Sequence, residues 1–127
     1  MKVPAELLYT SSHEWIKKQD DNSVLIGITD HAQNALGDIV FVELPKVGKE
    51  FKAKDSCGVI ESVKAAADIY SPVSGKVKTV NADLENQPDL INTQPYESWL
   101  FSLELNNTTD LKNLLSAEQY TALLGAE

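Results

Sequence analysis

The chain has 127 residues, of which 43% are hydrophobic and 24% charged, and this size and composition predict one globular domain spanning residues 1–127. No apolar run reaches the ~20 residues that a membrane-spanning helix needs. The formal net charge of -8 argues against nucleic acid as a partner, because its phosphates would be repelled. Residues 1–6 have no features of a targeting segment and Cys57 is the only cysteine, so we expect a cytoplasmic protein without a disulfide.

The N-terminal part of the chain predicts a β-hairpin followed by a short helix. Residues 13–18 and 23–28 read as two strands, and the four polar residues between them favour a turn. Asp30 and Gln33 form a capping pair at the start of the helix. Gly37 can adopt the left-handed conformation that ends it.

The middle of the chain predicts further strands. Residues 39–44 are rich in β-branched and aromatic side chains and stop at Pro45, which predicts a buried strand. Glycines and a proline punctuate residues 48–80 in the pattern of a compact β module, and residues 81–92 read as a short helical turn and loop. A last strand is predicted at residues 99–105, with four apolar residues on one face: Trp99, Phe101, Leu103 and Leu105.

The C-terminal tail predicts a helix that covers a sheet face. Ser116 and Gln119 form a capping box, and leucines with Tyr120 recur at helical spacing behind it. The predicted fold is mainly β, a small β sandwich or flattened barrel with a few short peripheral helices including the C-terminal one. Four aromatic residues are expected in its core: Trp15, Phe41, Trp99 and Phe101.

Several kinds of catalytic or metal site are not supported by the sequence. His13-Glu14 could begin a His-Glu-x-x-His zinc motif, but Lys17 stands where the second histidine is required. His31 and Cys57 complete no recognisable metal-ligand set, so no metal site is expected. Cys57 lies in a strand-like run and is better interpreted as a small buried hydrophobe than as a nucleophile. Glycine-rich phosphate loops and Gly-x-Ser-x-Gly motifs are absent from the sequence.

One lysine, Lys64, lies between two short β-type runs with small residues on its C-terminal side. A hairpin tip holds a side chain clear of its own fold, and a lysine ε-amine is a nucleophile that a ligase can acylate. Val63 and the alanines at 65–67 leave the amine without bulky neighbours, while Pro72 and Gly75 end the following strand. The alternative interpretation is a solvated surface charge.

The segment from Glu61 to Gly75 resembles the lipoyl-attachment motif of the H protein of the glycine cleavage system. The resemblance continues through blocks that cover nearly the whole chain: Ser12–Trp15, Gly27–Gln33, Leu36–Val42, Leu44–Pro45, Val80–Asn81, Leu90–Asn92 and Trp99. One departure lies at residues 95–99, where the family usually has a slightly longer turn that contains glycine. This departure is distant in sequence from Lys64.

The resemblance implies a carrier rather than an enzyme, with lipoic acid attached to Lys64 through an amide bond. The attachment motif would comprise Glu61, Ser62, Val63 and Ala65. The implied carrier shuttles an aminomethyl group from glycine decarboxylase (P protein) to the aminomethyltransferase (T protein), and its dithiol to dihydrolipoamide dehydrogenase (L protein). A lipoate ligase or transferase would load it, and a shuttle that visits three enzymes is expected to be a monomer.

The resemblance also implies a cleft in which the loaded arm rests, formed by Ser12, Glu14, Ile28 and Asp68. Because the amine of the loaded arm is cationic, Glu14 and Asp68 are its natural ion-pair partners. Without the resemblance, Glu14 reads equally well as a solvated strand residue and Asp68 as a charge at a strand edge.

Three alternatives stay open on the sequence. An H-like lipoyl carrier could serve lipoate transfer or sulfur metabolism instead of glycine cleavage. Carrier domains of 2-oxoacid dehydrogenases and biotin carriers typically have Asp-Lys-Ala or Met-Lys-Met at the turn, whereas this chain has Val63-Lys64-Ala65. A β-rich interaction protein would leave Lys64 unmodified.

Overall fold

The computed structural model describes residues 2–19 and 21–126 and shows a mainly β architecture, as predicted. The strands are β1 Leu8–Tyr9, β2 Glu14–Lys18, β3 Ser23–Ile28, β4 Ile39–Glu43, β5 Glu50–Phe51, β6 Ser56–Ser62, β7 Ala66–Tyr70, β8 Gly75–Val80 and β9 Phe101–Leu105. The α-helices are α1 Asp30–Leu36, α2 Asp83–Asn86, α3 Leu90–Thr93 and α4 Ala117–Ala126, and a 3-10 helix spans Thr108–Asn113.

The strands form two antiparallel sheets that share one hydrophobic core. The larger sheet has the order β1-β2-β3-β9-β8-β5, and the smaller one has the order β4-β6-β7. Inward side chains of the larger sheet include Ile26 and Phe101, and they belong to the same buried cluster as Val42, Ile60 and Ile69 of the smaller sheet. The fold is therefore a two-layer β sandwich with short peripheral helices, as the sequence predicted.

A second buried cluster lies where the C-terminal helix meets β1 and β2. The rings of Tyr9 and Tyr120 stack with centroids 4.7 Å apart, and Trp15 is buried beside them. Ser116 and Gln119 exchange the two hydrogen bonds of a capping box at the start of α4. The helix covers a face of the larger sheet, as predicted, because Trp15 and Ile16 of β2 point to opposite faces and both are buried.

The predicted N-terminal hairpin and helix are confirmed, with one change at the helix cap. Strands β2 and β3 pair in antiparallel register, and Gly37 ends α1 with φ 81°. Thr29, not Asp30, is the N-cap, since its hydroxyl accepts a hydrogen bond from the Ala32 N–H. Asp30 instead accepts a bond from the Gln33 side chain within the first turn. Asp20, in the predicted turn, lies outside the described residues.

Two predictions about aromatic residues were wrong. Phe41 is 51% exposed, so β4 is only half buried and Phe41 is not in the core. Its orientation follows from a bulge between β4 and β6, which interrupts the alternation of inward and outward side chains. Trp99 lies before β9 and packs against the second cluster, whereas Phe101, Leu103 and Leu105 belong to the main core.

The turn at residues 95–99, which departs from the family pattern, is held by hydrogen bonds of its first two residues, Pro95 and Tyr96. The Pro95 carbonyl accepts a hydrogen bond of 3.0 Å from the Trp15 indole N–H. The Tyr96 hydroxyl accepts one from the Asp30 N–H and donates one to the Lys2 carbonyl. These contacts tie the turn to the start of α1 and to the N-terminal segment.

Candidate functional site

Lys64 lies at the tip of a hairpin, as the sequence predicted. Strands β6 and β7 are antiparallel neighbours, and Val63, Lys64 and Ala65 connect them. All three connecting residues are exposed. Within β4, β6, β7 and this connection, Lys64 is the only basic residue. The ε-amine therefore stands on the surface, where another protein can reach it.

The Ser62 side chain orders the backbone of the tip. Its hydroxyl accepts hydrogen bonds from the N–H groups of Lys64 at 3.3 Å and Ala65 at 3.1 Å. The Ser62 N–H donates to the Ala65 carbonyl at 2.7 Å, and the Val63 N–H donates to the Asp38 carbonyl at 3.0 Å. Serine favours such local bonds to the backbone of a turn. Lys64 is thus exposed but projects from a fixed backbone.

The backbone that contacts the Lys64 side chain has a conformation that requires a glycine, Gly37. A Cβ atom added to Gly37 would lie 3.4 Å from Cε of Lys64, so the lysine stem runs along this backbone. Gly37 has φ 81° and ψ -157°, a combination that is essentially restricted to glycine. The residue that ends α1 therefore also provides the surface on which the lysine side chain lies.

Asn92 holds the link between α1 and β4 in place beneath the lysine. Its amide nitrogen donates to the Gly37 carbonyl at 2.9 Å and to Oε1 of Gln33 at 3.0 Å. Its amide oxygen accepts from the Ile39 N–H at 2.9 Å. Sequence reasoning gave Asn92 no role beyond its place in a matching block, because all three partners lie more than 50 residues away in the chain.

A cleft of about 550 Å³ lies at the other end of β7. Its walls come from four segments of the chain: residues 10–12 with Glu14, residues 53–54, residues 70–72, and Asp110 with residues 113–115. Counting from Ala66 to Tyr70, the strand rise places the cleft ~13 Å along β7 from the lysine hairpin. Segments from both sheets and the 3-10 helix therefore meet around one concave surface.

Glu14 lies in the wall of this cleft and is only 2% exposed. Its Oε1 atom accepts hydrogen bonds of 2.6 Å from the hydroxyls of Thr10 and Ser12. Burial raises the pKa of Glu14 above its ordinary value, and hydrogen bonds from these hydroxyls and from the Tyr70 backbone N–H oppose that rise. A buried carboxylate with two oriented hydroxyls suits a cationic ligand.

The structure brings together two of the four residues predicted to form a docking cleft. Ser12 and Glu14 line it side by side. Ile28 pairs with Glu14 across β2 and β3, so the two side chains lie next to each other on one face of the sheet. Ile28 is buried in the main core and does not line the cleft. Asp68 is exposed on the outward face of β7, two residues before Tyr70, and lies between the lysine hairpin and the cleft.

The other candidate sites have structural explanations. Among residues 2–19 and 21–126, no cluster of three histidine, cysteine, aspartate or glutamate side chains could hold a metal ion. Nδ1 of His13 is 2.7 Å from the Tyr120 hydroxyl, in the second cluster. Cys57 is buried, its thiol donates to the Ile69 carbonyl, and burial raises its pKa to about 12. None of the helices in the described part of the chain is long and apolar enough to cross a membrane.

Comparison with known proteins points to a single family. Residues 7–127 match the model of the family described as glycine cleavage H-protein. Glycine cleavage system H protein 2 of Pseudomonas putida is 55% identical over 123 residues, which cover 97% of each chain. The glycine cleavage system H protein of Nitrosomonas eutropha is 53% identical over 127 residues, covering 100% of this chain and 98% of that one.

A solved structure agrees with the sequence comparison. The crystal structure of a glycine cleavage system H protein from Mycobacterium marinum superposes with a TM-score of 0.87 and is 38% identical. The match covers 96% of this chain and 98% of that one, so it spans both sheets. Sequence and architecture agree from end to end, and the chain belongs to the glycine cleavage H-protein family.

Proposed function

We propose that this lipoyl carrier protein of the glycine cleavage system bears its lipoyl group on Lys64, within a single domain of residues 1–127. The supporting observation is that Lys64 lies exposed on a hairpin tip, inside the segment that resembles the family's attachment motif. The hydrogen bonds of Ser62 fix the tip backbone, so a loading enzyme meets one presentation of the amine.

The chain's own contribution is presentation rather than catalysis. A lipoyl group bound at Lys64 supplies a disulfide that can be reduced and a thiol that can carry an aminomethyl group. The chain holds the attachment point clear of its core, and its small neighbours Ala65 and Ala66 leave space around it. This arrangement suits a monomeric carrier that visits glycine decarboxylase, the aminomethyltransferase and dihydrolipoamide dehydrogenase in the cytoplasm, after loading by a lipoate ligase or transferase.

We infer that the cleft at the far end of β7 binds the cationic amine at the end of the loaded arm. Ionised Glu14 would pair with the ammonium, and the hydroxyls of Thr10 and Ser12 hold its carboxylate in one orientation. Ile28, the cross-strand neighbour of Glu14, is buried beside it. Asp68, on the outward face of the strand that joins the hairpin to the cleft, supplies a second carboxylate along the path.

Intact mass spectrometry of protein purified from its native host tests the attachment site. We expect a lipoyl mass increment that is lost in Lys64→Arg and retained in Lys76→Arg, which changes an exposed lysine on β8. A native chain without the increment would contradict the proposal. A reconstituted glycine decarboxylation assay then separates glycine cleavage from lipoate transfer or sulfur metabolism, because only the glycine cleavage carrier restores turnover.

The cleft is tested by the lifetime of the aminomethyl group on the loaded protein. Glu14→Ala should lose the group to water faster than the parent protein, because the docked ammonium loses its ion-pair partner in the cleft. Asp68→Ala should also lose it faster, because the path from the hairpin to the cleft loses a carboxylate that attracts the ammonium. Glu50→Gln, an exposed carboxylate change on β5, is the matched control and should leave the lifetime unchanged. Unchanged decay in both alanine variants would exclude the cleft as the resting place of the arm.

A further inference from the structure

A β-bulge in β4 exposes two adjacent apolar side chains close to Lys64. Ile39 is opposite Ser62 and Phe41 is opposite Glu61, so Val40 is an extra residue in the ladder. Val40 is 54% exposed and Phe41 is 51% exposed, although both neighbours, Ile39 and Val42, are buried. Regular alternation would turn one of the two inward. Bulges commonly re-aim side chains beside functional sites.

These two residues belong to a larger apolar surface around the hairpin tip. Val63, the residue before Lys64, is 69% exposed, and its N–H bonds to the Asp38 carbonyl just ahead of β4. We call Val40, Phe41 and Val63 the tip patch. Exposed large apolar side chains that cluster beside a functional group are typical of a surface that a partner covers.

The border of the tip patch is acidic. Glu61 is the cross-strand neighbour of Phe41, and Glu43 and Asp68 occupy the next outward row of the same sheet. All three carboxylates are exposed. The sequence has no lysine or arginine from residue 19 to residue 45, and Lys64 is the only one from residue 55 to residue 75. A complementary partner surface is therefore apolar at its centre and basic at its rim.

The position of the tip patch distinguishes among the enzymes that could cover it. An enzyme that attaches the lipoyl group must bring an activated carbonyl to Nζ of Lys64, only one side-chain length from the tip backbone. Enzymes that act on the attached group work at its far end, away from this backbone. The enzyme that acylates Lys64 is thus the one that cannot avoid contact with residues beside the tip.

We infer that the tip patch is the docking surface for the enzyme that acylates Lys64, and this inference rests on the proposed function. The donor is lipoyl-adenylate, made by that enzyme from lipoic acid and ATP. Nζ attacks the activated carbonyl, the amide C–N bond forms, the bond to the AMP phosphate oxygen breaks, and Nζ gives up a proton to solvent. The bulge contributes Val40 and Phe41, which lie outside the attachment motif of residues 61–65.

The test measures acylation kinetics with purified lipoate ligase, lipoic acid, ATP and the full-length apoprotein. We expect Phe41→Ser to lower kcat/KM at least ~10-fold, mainly by raising KM, as truncation of an interface anchor does. Val40→Thr keeps the β-branched shape and should lower it less. Val47→Ser is the matched control, because Val47 is 62% exposed yet lies outside the tip patch, and its kcat/KM should stay within about twofold.

Each outcome bears on the inference. Thermal unfolding of the apoproteins should show that Phe41→Ser folds like the control, since the ring is half exposed. Acylation of both tip-patch variants at the parent rate would overturn the inference while leaving Lys64 as the attachment site. If normal acylation were accompanied by a loss of turnover with glycine decarboxylase, the patch would belong to that enzyme and the inference would be wrong. Failure of the parent to be acylated at Lys64 would overturn the proposed function itself.

Discussion

Replacing Gly37 with alanine tests whether the backbone conformation beneath Lys64 requires a glycine. Its φ of 81° and ψ of -157° lie in a region where a residue with a Cβ atom costs about 1–3 kcal/mol. The new Cβ would lie 3.4 Å from Lys64 Cε, and the flexible lysine stem can move away, so this contact adds little. We expect a loss of about 2 kcal/mol in the free energy of unfolding. For a chain of this length that corresponds to a fall in Tm of ~7 °C.

Two other glycines separate backbone strain from contact with the lysine. Gly48→Ala shares the strain, at φ 90°, but nothing lies within 4 Å of the new Cβ, so it should be destabilised by a similar amount. Gly125→Ala in α4 has open space and no positive φ, and it should be neutral or stabilising by up to ~1 kcal/mol.

Urea denaturation gives the unfolding free energies of the three variants, and the acylation assay reports on Lys64. Of the three, only Gly37→Ala should also change the rate at which Lys64 is acylated, since only its added methyl group contacts the lysine stem. An unfolding free energy for Gly37→Ala within about 0.5 kcal/mol of the parent would refute the strain argument.

Two further substitutions and one reactivity measurement report on individual side chains. Burial raises the pKa of Glu14, so the protein loses stability as pH rises from the unfolded pKa of this group, about 4.3, through its folded pKa. In Glu14→Gln the urea midpoint should vary less with pH over this window, and at neutral pH it should be higher than the midpoint of the parent protein. Ser62→Ala removes the hydroxyl that accepts hydrogen bonds from the N–H groups of Lys64 and Ala65, and it should lower the free energy of unfolding by about 0.5–1 kcal/mol. Hydrogen exchange at these two N–H groups, measured by NMR, should become faster. With its pKa raised to about 12, Cys57 should react with a disulfide reagent at pH 8 at least ~10³-fold more slowly in the native than in the urea-unfolded protein, and equal rates would contradict its burial.

Features governed by neighbouring residues could be predicted from the sequence. The hairpin of β2 and β3, helix α1 with its stop at Gly37, and the capping box of Ser116 and Gln119 each depend on residues a few positions apart. The placement of Lys64 at a tip follows from the same local signals, because small residues and strand-like runs flank it. Thr29 and Asp30 are both good caps, so the error there was one residue.

Features that depend on distant pairing could not be predicted. Phe41 points outward because of its register with Glu61, 20 residues later in the chain, and nothing in residues 39–44 signals the bulge. The anchoring of the lysine site by Asn92 likewise joins segments that meet only in the folded protein. Within the cleft, the pairing of Ser12 with Glu14 is local, whereas the approach of Tyr70 to the same carboxylate requires both sheets to be assembled.

The position of β9 in the larger sheet determines when the chain can complete its fold. This strand lies between β3 and β8, with Val24 opposite Leu103 and Val77 opposite Leu103 on the other side. A nascent chain that has not yet reached residue 101 holds the two halves of this sheet with no strand between them. The smaller sheet, residues 39–70, then has no closed layer on which to bury its inner face. The lysine hairpin is therefore synthesised before the sheets that hold it in place can form completely, because the larger sheet needs the last fifth of the chain.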